Sequence, residues 1–190
     1  MHDIEPFYLW SEKYSASEDE RSPFYGREHS EFQFSNTIYN YYIHPQWDEF
    51  GSSTLYIKLI YADYEDGFAV MELIGEWNDC LHNDIMFLKE NVINPLLSEG
   101  INKFMVVCEN VLNFHGSDDC YYEQWYEDVA EEDGWICFAN LLEHVENEMI
   151  QTCIQAYINI INDITWRKQK PELLRQLLEN YLAGRRMELN

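Results

Sequence analysis

The sequence predicts an α/β protein: a mixed sheet of four to five strands followed by a C-terminal helical extension. Three observations carry that reading. Two strand-like runs, TLYIKLIYAD and FAVMELIGEW, flank Asp66-Gly67, a dipeptide that favours the tight turn of an antiparallel hairpin. Ile85, Leu88, Val92 and Leu96 then recur at helical spacing, with Met86, Ile93 and Leu97 on the flank. After them INKFMVVC is short, apolar and β-branched, as a strand covered on both faces must be. Strand, helix and strand in this order imply a parallel pair joined by a right-handed crossover.

Each element has its own justification. Residues 1–36 are acidic but carry Phe7, Tyr8, Trp10, Tyr14, Phe24, Tyr25, Phe32 and Phe34, which predicts a segment packed across the body rather than a free tail. Within it SEDERSPFYG reads as a loop facing solvent or a partner. From Thr37, TIYNYYIH has the β-branched and aromatic character of a strand. The next run alternates well enough for a strand, with Leu55, Ile57, Leu59 and Tyr61 on one face and Tyr56, Lys58 and Ile60 on the other.

Asn78, Asp79 and Asn83 are candidate caps for the following helix. Pro95 lacks the amide proton and must loosen its last turn, and Gly100 stands where a left-handed C-cap is wanted. CYYEQWYEDVAEED reads as an acidic helix with Tyr121, Tyr122, Trp125 and Tyr126 along one broad face. Beyond Gly134 a long apolar-periodic stretch without proline reads as one long helix, or two in near-continuity. Pro171 opens a last helix in the position prolines favour, with Leu173, Leu174, Leu177, Leu178 and Leu182 along one side. The expected organisation is therefore an N-terminal segment (1–36), an α/β domain (37–133) and a helical extension (134–190).

Composition narrows the function classes. Apolar residues make up 46% and aromatics 16% of the 190, enough for a packed core. Thirty-five Asp and Glu stand against twelve Lys and Arg, a net charge of −23. Direct nucleic-acid binding needs a basic face and is disfavoured; a protein partner, basic in character, suits this surface. The same charge leaves open an acidic decoy that mimics nucleic acid. Arg167, Lys168, Lys170, Arg175, Arg185 and Arg186 make the tail basic, so it either folds back on the acidic body or pairs with another copy. Homo-oligomerisation through the C-terminal leucine stripe is the sharper form of that alternative.

Five cysteines without a C-x-x-C pair read as reduced thiols, in keeping with a cytoplasmic protein. The N-terminus lacks the pattern of a signal peptide, and no window approaches a membrane span.

The order hairpin, helix, strand, polar turn, helix resembles the STAS fold of anti-sigma-factor antagonists and sulfate-transporter tails, over about residues 54–130. Ile74, Gly75 and Glu76 resemble that family's L-x-G-E-L motif. Leu112, Asn113, Phe114, His115, Gly116, Ser117, Asp118 and Asp119 stand where the family has its V-x-F-x-D-S-S-G loop. The resemblance implies a non-enzymatic regulatory module that binds a protein partner through this loop, which in the family is switched by serine phosphorylation. Here Gly116 replaces the family's aspartate, Ser117 matches the first serine, Asp118 replaces the second and usual acceptor, and Asp119 replaces the glycine. The phosphoswitch is therefore not carried over with the fold. Asp118 resembles a permanently modified state, and Ser117 remains an acceptor by type.

These residues define the candidate sites. His115, Ser117, Asp118, Asp119, Tyr122 and Trp125 are the expected partner-binding set. An enzymatic alternative places His82, His115, Asp118 and Asp119, with Asp84, around a divalent metal at the strand ends. The plainer account has Ser117 or Asp118 capping the next helix and His115 packed beneath it. No catalytic residue and no cofactor are expected. The eight carboxylates from Asp118 to Asp133 lack the register of a calcium loop and read as a solvated helix face.

Overall fold

The computed structural model describes residues 4–30 and 32–188, with side chains up to residue 184. Its centre is a five-stranded sheet of β3 (Leu55–Asp63), β4 (Phe68–Asn78), β5 (Lys103–His115), β6 (Trp135–Ala139) and β7 (Asn159–Ile161), in that spatial order. A separate small pair, β1 (Thr37–Ile38) and β2 (Tyr41–Tyr42), lies before it. β3 and β4 form the antiparallel hairpin, and β4, β5, β6 and β7 run parallel. The α/β class, the mixed sheet and its five strands match the expectation.

The helices follow from the same residues. After β4 come α1 (Asp79–His82), α2 (Asp84–Leu88), a π-turn (Lys89–Ile93) and α3 (Asn94–Ser98). The widened turn falls just before Pro95, which has no N–H to give the regular ladder. At the end of α3 the N–H of Gly100 bonds Leu97 O at 2.9 Å and that of Ile101 bonds Leu96 O at 3.0 Å. This is the Schellman arrangement, and it needs the left-handed φ of +90° that Gly100 supplies. α4 (Cys120–Ala130) and α5 (Glu143–Gln151) follow β5 and β6, and α6 (Pro171–Glu188) ends the chain.

Both faces of the sheet are covered, which is why β4 and β5 could read as nearly continuous apolar runs. On one face Leu88, Val92 and Leu96 join Tyr122, Trp125, Val145 and Met149 over Leu73, Val106 and Phe138. On the other, Trp10 from the N-terminal segment meets Trp166 and the α6 residues Leu174, Leu178 and Leu182, over Val70, Met105 and Cys137. Leu173 and Leu177 of the leucine stripe are about half exposed. The N-terminal segment is tied down by the Phe7 N–H, which donates to Glu72 Oε2 at 2.7 Å.

Three expectations need correction. The stretch from Trp135, read as a long helix, instead supplies β6, α5 and β7, so the sheet extends past residue 133 and the terminal helix begins only at Pro171. Residues expected as one strand from Thr37 are broken at Tyr39, whose φ is +55°, into two two-residue strands. In β3 the register slips between Leu59 and Tyr61. That irregularity turns Tyr61 to the face shared with Ile60, away from Leu55, Ile57 and Leu59. The tail residues Arg185 and Arg186 have side chains outside the described set.

Candidate functional site

Parallel strands β4 and β5 end side by side, with Asn78 opposite His115, so the turns that follow them share one corner. Open sheets commonly bind ligands or partners at this edge. On the β4 side Gly75, at φ +125°, lets the chain pass the Thr54 carbonyl, which an added Cβ would meet at 2.1 Å. The next residue, Glu76, then donates its N–H to that carbonyl at 2.9 Å, and its side chain turns toward β5.

The turn after β4 is held by buried carboxylates. Asp79 Oδ1 accepts from Trp77 Nε1 at 2.9 Å and from the Ile85 N–H at 2.8 Å. Its Oδ2 accepts from the Tyr122 hydroxyl at 2.7 Å. Burial pushes the Asp79 carboxyl up to about 6 despite these three donors, with Asp84 adding repulsion. Asp84 Oδ2 accepts from the Asn78 N–H at 2.8 Å, and burial raises its carboxyl as well. Its Oδ1 is buried with no hydrogen-bond partner among the described residues. Asn78 Oδ1 caps α1 by accepting from the Leu81 N–H at 2.9 Å.

On the β5 side the loop is more open. His115 Nε2 lies 3.3 Å from Glu76 Oε1, and beside them Asn113 Nδ2 donates to the Tyr39 hydroxyl at 3.0 Å. Cys80 donates its thiol to Gly116 O at 2.7 Å, joining the two turns. Ser117 is exposed, and its hydroxyl has no partner among the described residues. Asp118 is fully exposed; hydrogen bonds from the Cys120 thiol and amide hold its carboxyl below the usual range, so it stays ionised. Asp119 Oδ2 accepts from the Tyr157 hydroxyl at 2.8 Å, which pushes that phenol up to about 12.

Behind the loop, α4 divides cleanly. Tyr122, Trp125 and Val129 point into the core, while Glu123, Glu127 and Asp128 face out. Of the eight carboxylates between residues 118 and 133, Asp128 alone has a cationic partner among the described residues: the ammonium of buried Lys89, at 2.7 Å.

The expected site residues are thus partly gathered. His115, Ser117, Asp118 and Asp119 lie on the loop as read, and Asp118 bonds the first helical N–H, that of Cys120, at 3.3 Å. Helix α4 starts after Asp119, without a side-chain cap bond from that residue. His115 is on the surface and does not pack beneath the helix. Tyr122 and Trp125 are core residues with no exposed surface, so they position α4 and cannot touch a partner. Their spacing on the helix already placed them on its apolar face. The metal alternative is not supported: His82, His115, Asp118 and Asp119 do not converge, and no group of three or more His, Cys, Asp or Glu side chains among the described residues could hold an ion.

Residues that the sequence reading passed over complete the corner. In the sequence Glu76 stands out only as the acidic letter of the L-x-G-E-L-like motif. Tyr39 and Asn113 come from elements distant in sequence, and no local pattern announces their meeting.

No protein-family model matches the sequence, and no curated protein matches it significantly. Among solved structures, the chain is similar to the crystal structure of a Thermotoga maritima protein provisionally described as an anti-sigma factor antagonist. That match has 17% identity, covers 57% of this chain and 86% of the other, and has a TM-score of 0.42. It is also similar to the NMR structure of the same Thermotoga protein, at 15% identity, over 73% of this chain and all of the other, with a TM-score of 0.39. What the chain does must be argued from its own surface.

Proposed function

We propose that the chain is a non-enzymatic interaction module that docks a basic protein partner on the strand-end corner, at His115, Ser117, Asp118 and Asp119 and the outward face of α4. The single observation that carries this is the imbalance of charge there: eight carboxylates between residues 118 and 133, with one cationic partner among the described residues. Uncompensated like charges on one face cost free energy, and a basic partner recovers it. The loop that presents Asp118 is held rigidly by the Cys80–Gly116 and Tyr157–Asp119 bonds, so little entropy is lost on binding. Nothing in this reading requires phosphorylation, because the ionised Asp118 supplies the negative charge permanently.

The experiment is affinity capture with the native chain and an Asp118→Lys variant. The reading expects a partner retained by the native protein, lost by the variant and released by raised salt. Retention of every partner by the variant would remove the loop as the interface, and salt-indifferent capture would argue against a charge-driven contact.

A further inference from the structure

β3 is an edge of the sheet, and exposed edges are normally paired or covered. Here the cover comes from the long segment that precedes β3, but it does not zip onto the strand. Asp48 and Ile57 exchange backbone bonds of 2.7 and 3.0 Å. Beyond Ile57, no backbone hydrogen bond among the described residues joins β3 to the chain that precedes it. The irregularity between Leu59 and Tyr61 bends the edge at this point. The segment therefore bridges the strand, and a cavity of about 260 Å³ remains between them.

The lining of this cavity is unlike the rest of the molecule. One part is apolar, from Phe7, Ala16 and Ile60. The other part carries Lys58, His29 and serine hydroxyls. In a chain of net charge −23, the only carboxylate on the wall among the described residues is Glu5, whose Oε1 lies 3.5 Å from His44 Nε2. Behind the wall sits Asp48, only 2% exposed. It accepts from Lys58 Nζ at 3.1 Å and lies 2.7 Å from His29 Nε2. One buried carboxylate thus orients two nitrogen bases toward one space. Two of the three Lys58 ammonium protons, and His29 Nδ1, are left without a protein partner among the described residues.

We propose that this cavity binds a small organic monoanion, a carboxylate with a compact apolar body. The carboxylate accepts from Lys58 Nζ; His29, whose Nε2 proton goes to Asp48, adds a donor at Nδ1 only as the imidazolium, and the body lies against Phe7, Ala16 and Ile60. At the roughly 30 Å³ that a water molecule occupies in the liquid, the space fits a molecule on the order of ten heavy atoms. Charge-assisted bonds fix the orientation, and the apolar wall supplies the remaining free energy. The site is independent of the strand-end corner, because no residue of the corner lines it.

The test is an NMR titration of the isotopically labelled full chain with phenylacetate, and with its uncharged isostere phenylacetamide. Phenylacetate is expected to give saturable shifts at the Ala16, Leu59 and Ile60 amides. Phenylacetamide should bind at least about tenfold more weakly, the loss that follows from removing a charged acceptor. Lys58→Met should weaken phenylacetate by a similar factor. Ser11→Trp, at an exposed position on the cavity wall, should block binding without touching the core, and serves if the lysine variant fails to fold. Absence of a saturable response up to about 20 mM phenylacetate, equal binding of the amide, or unchanged binding by Ser11→Trp would each overturn the proposal.

Discussion

The hydroxyl of Tyr122 donates a 2.7 Å hydrogen bond to Asp79, fastening α4 to the turn that ends β4. Both residues are buried, and Asp79 also holds Trp77 and the Ile85 amide. Asp79→Ala leaves three buried donors unpaired, and each unpaired donor costs about 1–3 kcal/mol. We expect the variant to lose on the order of 3 kcal/mol or more, read by denaturant unfolding. Asp79→Asn should be far milder, because its carbonyl can still accept from Trp77 and Ile85, while its amide donates to the Tyr122 oxygen.

Asp79 also sets a pH dependence. Its folded value of about 6 lies above the 3.8 expected of an exposed aspartate. The folded state therefore holds the proton more tightly, and the associated stability is complete below about pH 4 and lost as pH rises through about 6. A shift of this size corresponds to roughly 3 kcal/mol. Other carboxylates add slopes of their own, so the measurement is the difference between native protein and Asp79→Asn. That difference should change steadily between pH 4 and 6 in favour of the variant, and be flat above pH 7.

Gly75 and Gly100 both have positive φ, but for different reasons, and their alanine variants should separate. An alanine at 75 would force its Cβ to 2.1 Å from the Thr54 carbonyl, whereas the space around Gly100 is open. Gly100→Ala should cost about 1 kcal/mol from backbone conformation alone. Gly75→Ala should cost several times that and disturb the join of β3 and β4, visible as a large fall in Tm.

Arg167 joins two strands from outside the sheet: it donates to Glu72 Oε1 at 2.9 Å and also to Glu109. Burial raises the Glu72 carboxyl, and Arg167 offsets that by favouring its charge. Arg167→Ala leaves Glu72 buried with only the Phe7 N–H, and should cost about 1–3 kcal/mol, less than for a fully enclosed pair because the guanidinium is partly solvated. The measurement is urea unfolding at pH 7. A loss of packing by the N-terminal segment should appear as faster amide exchange around Phe7.

Within the candidate site, stability and binding should divide along the two faces of α4. Trp125→Ala should cost about 3–5 kcal/mol, as a buried aromatic does. Asp118→Lys should change stability by less than about 0.5 kcal/mol, as expected of an exposed side chain. Calorimetry on both variants checks the division.

The legible part of the fold was the part with local signals. Asp66-Gly67, Pro95 and Gly100 announce their turns chemically, so the hairpin, the disturbed helix and the strand after it could be read in order. The stretch after Gly134 could not. β6 is a five-residue run, WICFA, buried on both faces, and periodicity cannot tell such a run from buried helix. The turns that divide this stretch fall at Asn140, Cys153 and Asp163, all at positive φ, with no glycine or proline beside them to set them apart from the helical pattern. Tyr61 lies on the face opposite to that expected because a single irregularity in β3 inverts every later side chain, and no residue type encodes it. The site's loop was visible from its composition. Its partners Tyr39 and Asn113 were not, since only the folded sheet edge brings them together.

The central claim is that the strand-end corner is where this chain meets its partner. Amide hydrogen exchange of the labelled chain, with and without the partner captured by the native protein, tests it most directly. The account predicts slowed exchange confined to residues 115–119 and the first turns of α4, and its loss in Asp118→Lys. Protection at α6 or at the β3 edge, with the loop unchanged, would contradict it.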